Sequence, residues 1–205
     1  MKKGTVIVYK TPKRFLAKAV RDPSSWALLL SNLFTGILAV MQNWSLGNLL
    51  WVYLGQSIII GLFSFLKLLI FRKSIKKNKK FFIIHYFFPF FLVHGIYSLF
   101  IIFFFSRNLE FIYILIGIGI FFLNHSFSFF YNYSQDKKRI QKEKNEMKLL
   151  SAPYARTLPI HLTILVGMFG ISFFIDKYQI TTLVVFLILK IYIDILVHVS
   201  EHNSI

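Results

Sequence analysis

The amino-acid sequence predicts an all-α polytopic membrane protein, a bundle of six transmembrane helices with both termini in the cytoplasm. Three observations predict it. Of the 205 residues, 56% are hydrophobic and 19% aromatic, more apolar surface than a soluble domain of this size can bury. That material is gathered into six runs of about 20 residues, the length needed to cross a hydrocarbon core roughly 30 Å thick. The basic residues lie almost entirely on one side of those runs, as the positive-inside rule requires of cytoplasmic loops.

The elements follow in order. Residues 12–21 mix Phe15, Leu16, Ala19 and Val20 with Lys13, Arg14, Lys18 and Arg21, which suits a short helix lying in the interface. The region before it lacks an h-region and cleavage site, so it reads as retained and not as a signal peptide. Asp22-Pro23-Ser24 is a helix start before the first span. The expected spans are 24–42, 47–71, 81–105, 109–133, 154–175 and 179–200, in one domain without internal repeats. Residues 43–48, 106–108 and 176–178 are short turns between antiparallel neighbours. The charged segment 134–150 can extend the fourth helix into the cytoplasm. Trp26, Trp44 and Trp51 lie near span ends, as belt anchors do.

Orientation follows from the loops. The N-terminus carries Lys2, Lys3, Lys10, Lys13, Arg14, Lys18 and Arg21, and residues 72–80 and 137–148 carry six Lys or Arg each. The opposite loops contribute Arg107 and Lys177. The expected location is the cell membrane, with the N-terminus and C-terminus cytoplasmic. The expected partners are the bilayer and the anionic head groups of its cytoplasmic face; a homo-oligomer is compatible with the sequence. The net charge of +16 is accounted for by topology, so nucleic acid is not an expected partner. With no cysteine, disulfides, iron–sulfur clusters and thiolate metal sites are excluded.

All six histidines lie within or beside apolar spans. Ionisable groups there are costly and usually mark a site inside the bundle. At about 1.5 Å of rise per residue, His85 falls roughly 6 Å from the cytoplasmic face, His161 about 10 Å, His125 about 12 Å, Asp194 about 9 Å and His198 about 3 Å. Asn32 and Lys67 fall in the same layer, with Asn124 and Ser128 flanking His125. His94, about 20 Å deep, and Gln56 are the exceptions. Lys190, Asp194, His198 and His202 recur every four residues and share a helix face. His198 and His202 form an HxxxH pair, two imidazoles one turn apart that can share a metal.

These residues define the candidate site: metal ligands His85, His125, His161 and His198, and Asp194 as general base. Asn32, His94, Asn124, Ser128, Lys190 and His202 are supporting or margin groups. Plainer readings stand beside each. His94 reads foremost as a hydrogen-bonding strut, His202 as a residue of the helix margin, Asp194 also as a partner of Lys190, and Lys67 as snorkelling to the interface.

Tyr53-Leu54-Gly55-Gln56, Ile84-His85-Tyr86, Val93-His94-Gly95, Asn124-His125-Ser126, Pro153-Tyr154-Ala155-Arg156 with His161, and the series Lys190, Asp194, His198 and His202 resemble an uncharacterised prokaryotic family of small six-helix, histidine-containing integral membrane proteins. The resemblance covers nearly the whole chain. It implies that the histidines and the aspartate belong to the family pattern, and that an acidic residue commonly stands where this chain has Gln56. The Asp194, His198 and His202 group is also similar, more distantly, to the zinc site of adiponectin-receptor and alkaline-ceramidase type membrane hydrolases.

The leading functional expectation is an intramembrane metalloprotein, a zinc-dependent hydrolase of a lipid or other membrane-embedded substrate. Zinc, or another divalent transition metal, suits imidazoles plus one carboxylate with an open position to activate water. The alternatives are an ion or proton transporter using the same buried polar residues, a haem protein with axial histidines, and a structural protein with a polar packing layer.

Overall fold

The computed structural model describes residues 20–71, 79–142, 154, 161, 184 and 187–195, without the side chains of residues 79, 81–83 and 85. The described residues are mostly helical and form no strand. Four helices are long and apolar enough to cross a membrane: α1 (Pro23–Met41), α2 (Leu46–Phe71), α3 (Lys79–Phe105) and α4 (Phe111–Tyr131). Their ends lie within two residues of the first four expected spans. Most of the interfacial segment 12–21 and of the fifth and sixth spans lies outside the described residues.

Helix α1 begins where the chain dictates it. The Asp22 carboxylate accepts from the Ser24 backbone N–H at 2.9 Å, and Pro23 occupies the first turn, where a missing N–H is harmless. Its inward stripe runs through Ser24, Leu28, Ser31, Asn32, Thr35, Gly36 and Ala39, all buried, at the three- and four-residue spacing of one helix face. The Thr35 hydroxyl donates to the Ser31 carbonyl at 2.8 Å, so this stripe partly satisfies its own polar groups in an apolar solvent.

Both described turns between spanning helices carry an asparagine in the left-handed region, Asn43 at φ 53° and Asn108 at φ 57°. Asparagine tolerates that region better than most side-chain-bearing residues. On this side of the bundle Trp44 stacks on Tyr113 at 5.3 Å between centroids. The backbone N–H of Glu110 donates to Asn48 Oδ1 at 3.0 Å.

Helix α2 is the hub, packed against α3, α4 and α5 (Tyr133–Lys142), whereas α1 packs mainly on α4. Small residues set the approach of α2 and α4. A methyl group at Gly55 would meet Ile118 at 2.6 Å, and one at Gly117 would meet Val52 at 2.6 Å. Reciprocal glycines of this kind let membrane helices come close where no hydrophobic effect drives them together. Residues 187–195 lie against α1 and α2: Leu187 reaches Gly36, and Lys190 reaches both Asn32 and Gln56.

The outer faces are apolar. On α3 alone, Phe88, Phe91, Leu92, Ile96, Leu99, Phe103 and Phe104 are exposed. A soluble protein would not leave such a continuous surface open. The polar residues lie inward and the greasy ones outward, the distribution of a membrane protein.

Helix α5 refines the expected extension of the fourth span. Asn132, at φ −89° and ψ 5°, ends α4, and a separate helix follows. Its inward residues, Asp136 and Ile140, are buried. Asp136 pairs with Lys67 of α2 at 2.5 Å and with Arg139 at 3.1 Å. Ile140 packs in a small cluster with Leu68, Phe71 and Tyr86. This corrects the expectation that Lys67 snorkels to the interface, because the carboxylate of Asp136 is the nearer partner.

Candidate functional site

The side chain at the centre is Lys190. It is buried to 1% exposure, and a lone charge in mid-membrane would cost roughly 2.5–3.5 kcal/mol or more. The surroundings offset that cost. An ammonium has three donors and no acceptor, and three oxygens converge on this one. Nζ donates to Asn32 Oδ1 at 2.8 Å, to Gln56 Oε1 and to Asp194 Oδ2. Two rings close the remaining sides, with Nζ 4.2 Å from the Tyr53 centroid and 4.9 Å from that of Phe121. A desolvated contact with an aromatic face is worth up to about 2 kcal/mol.

The two amides work in the same way. Asn32 gives its oxygen to Lys190 and donates from Nδ2 to Asp194 Oδ2 at 3.1 Å. Gln56 does likewise, donating from Nε2 to the same oxygen at 3.3 Å. Each amide therefore bridges the ion pair, and its orientation is set by charge at both ends. Asn32 Nδ2 also donates to the Leu28 carbonyl at 2.9 Å.

The depth of this cluster follows from helix lengths. Asn32 is the middle residue of α1 and Phe121 the middle residue of α4. Gln56 and His94 lie ten and eleven residues from the corresponding ends of α2 and α3, about 15 Å along the helix axis. Four helices thus bring these residues to one level, halfway along the shorter spans. This corrects the expectation that Gln56 and His94 stand apart from the level of Asn32 and Asp194. Gln56 belongs to the central cluster, and His94 stands at its level.

A second polar group flanks the first across α2. His94 Nδ1 lies 2.7 Å from the Phe90 carbonyl, which can only accept, so Nδ1 carries the proton in the neutral ring. Nε2 is then the acceptor, and the Ser57 hydroxyl donates to it at 2.8 Å. His161 meets His94 edge to face at 4.9 Å and lies 4.3 Å from Tyr97. Ser57 follows Gln56 directly, so the middle turn of α2 presents one polar side chain to each group.

His161 is deeper than the spacing predicts. The expected depth of about 10 Å assumed that a helix starts at the membrane surface near Tyr154. The Tyr154 hydroxyl instead donates to the Tyr86 carbonyl at 2.7 Å. Tyr86 lies seven residues inside α3. His161 lies edge to face with His94, eight residues further along α3 than Tyr86.

His125 is buried on α4, between buried Asn124 and buried Ser128. It lies one turn from Phe121, on the same face and toward α5. Among the described residues no three His, Cys, Asp or Glu side chains converge as metal ligands. His198, His202 and the imidazole of His85 lie outside the description. Of the candidate site residues, the structure unites Asn32, Lys190 and Asp194 in one cluster and His94 and His161 in another. Gln56, Ser57 and Tyr53 are additional members. An adjacent Gln-Ser pair in the middle of an apolar span is the signal that could have found the first two.

No curated protein and no solved structure matches this chain. The model of a family of unknown function, DUF6498, matches residues 14–205, consistent with the resemblance to an uncharacterised family. A buried Lys–Asp pair held by two amides, beside a Ser–His–His group, is thus what one membrane protein of that family carries at its centre: this chain belongs to DUF6498.

Proposed function

We propose that the protein is an ion carrier of the cell membrane, coupled to protons, with Asp194 at its substrate site. Six helices would span the bilayer with both termini in the cytoplasm, as the loop charges require. The observation that carries this reading is the Lys190–Asp194 pair, bridged by Asn32 and Gln56 at the middle of the spans. Ionisable residues there mark ion pathways and proton relays. Ser57, His94 and His161 supply titratable and hydroxyl groups at the same level, and a neutral imidazole bonded at both nitrogens is suited to pass a proton.

The zinc-hydrolase reading makes Asp194 a general base that takes a proton from water, or the partner that fixes a ligand histidine's tautomer. In this arrangement its Oδ2 already accepts from three donors. That engagement favours the carrier over the hydrolase.

The test is purified protein in proteoliposomes loaded with a pH-sensitive dye. An imposed cation gradient should drive proton movement, abolished in Asp194→Asn and reduced at least about tenfold in His94→Ala. Stoichiometric transition metal after chelator-free purification, together with no proton movement, would overturn the carrier in favour of the metalloenzyme.

A further inference from the structure

We propose that the pocket around the Lys190 ammonium is a binding site for a primary ammonium cation, with Lys190 as its tethered resident. The ligand class follows from the lining. Three oxygens, from Asn32, Gln56 and Asp194, point at one nitrogen that has three N–H bonds. The rings of Tyr53 and Phe121 face the same nitrogen. Aromatic faces combined with a few oxygens select organic ammonium ions over strongly hydrated alkali cations, since a ring face attracts a cation but replaces little of its hydration shell. Among the described residues the lining holds one carboxylate, so it balances one positive charge. A second cation beside a charged Lys190 would be unbalanced in a low-dielectric site.

That charge count dictates an exchange. When an alkylammonium ion enters, the Lys190 ammonium loses a proton and withdraws as the neutral amine. The incoming ion takes its three hydrogen bonds, and the proton leaves to solvent. One cation in and one proton out leaves the site neutral, and no redox partner is needed. This deepens the carrier reading and rests on it for the identity of the moved ion. The cage itself is a statement about binding. Tethering gives Lys190 a high effective concentration at its own site, so a free cation competes poorly until the tether is cut.

The experiment uses methylammonium chloride, with sodium chloride as control, on the full chain in detergent. In Lys190→Ala, methylammonium should bind with a stoichiometry of one and raise the unfolding temperature, at least about tenfold more tightly than in the intact chain. Sodium should not substitute for it. Lys190→Ala combined with Asp194→Asn should lose the effect. Methylammonium without effect on folded Lys190→Ala, or equal binding in the double variant, would overturn the proposal.

If Lys190→Ala does not fold, the intact chain decides. Titration with methylammonium in weakly buffered solution should release one proton per cation bound, and Asp194→Asn should release none. Binding without proton release would overturn the exchange. Methylammonium binding without any proton movement in vesicles would sink the carrier and leave the cage. Proton movement driven by sodium with no methylammonium binding would sink the cage and leave the carrier.

Discussion

Lys190 and Asp194 are four residues apart on one helix, and most such pairs on a soluble helix are worth a few tenths of a kcal/mol. Burial changes the scale. Removing one partner from a buried pair leaves an uncompensated charge and costs about 3–5 kcal/mol, whereas replacing both can be nearly neutral. Lys190→Met or Asp194→Asn alone should therefore lower stability by about 3–5 kcal/mol, and the two together should recover most of it. Denaturant unfolding of the four proteins of that cycle gives the coupling. Additive single effects would show that the pair does not act as a unit. At the turns, Asn43 holds φ 53°, where a Cβ without a compensating side chain costs about 1–2 kcal/mol. Asn43→Ala should destabilise and Asn43→Gly should not, as thermal unfolding would reveal.

At the scale of elements, close approach decides. A methyl group at Gly61 of α2 would lie 2.1 Å from the ring of Phe90, which is itself buried. Gly61→Ala should cost about 1–3 kcal/mol by overpacking, and Phe90→Leu in the same chain should relieve part of it. Gly95, on the exposed face of α3, has nothing within 4 Å of such a methyl. Gly95→Ala should be neutral or mildly stabilising through helix propensity. The two variants differ in sign on one denaturation assay. Helix α5 is held by the Lys67–Asp136 pair and by Ile140. Asp136→Asn should loosen it. A cysteine placed at Ile140 would be the only one in the chain, and its maleimide labelling should rise several-fold in the Asp136→Asn background.

At the scale of the whole molecule, orientation and insertion are the testable quantities. Single cysteines at Ser134 and Asn108 mark opposite ends of α4. An impermeant maleimide should label Asn108→Cys on intact cells and Ser134→Cys only after the membrane is opened. The reverse pattern would invert the topology that the basic loops imply. The outer surface belongs to this scale too. Exposed phenylalanines and leucines along α3 and α4 are satisfied by lipid, so polar substitutions such as Phe103→Asp should impair insertion, seen as loss from the membrane fraction, without touching the central cluster.

Sequence alone determined what depends on runs and local chemistry. The four described spanning helices, the Asp22-Pro23 start of α1, the asparagine turns and the Lys190–Asp194 spacing are all set by residues near one another in the chain. Hydropathy over 20 residues and hydrogen bonds over four carry that information. Tertiary structure decided what depends on depth and rotation. Gln56 reads as an isolated amide until α2 is turned so that it meets Lys190, 134 residues away. His161 reads as shallow until its ring is seen against that of His94. Lys67 reads as a surface lysine until α5 folds back with Asp136. The reason is physical. In lipid the outward faces all look alike, so the register between helices is set by a few buried polar contacts and close-packed glycines, and those form only once the partners have met.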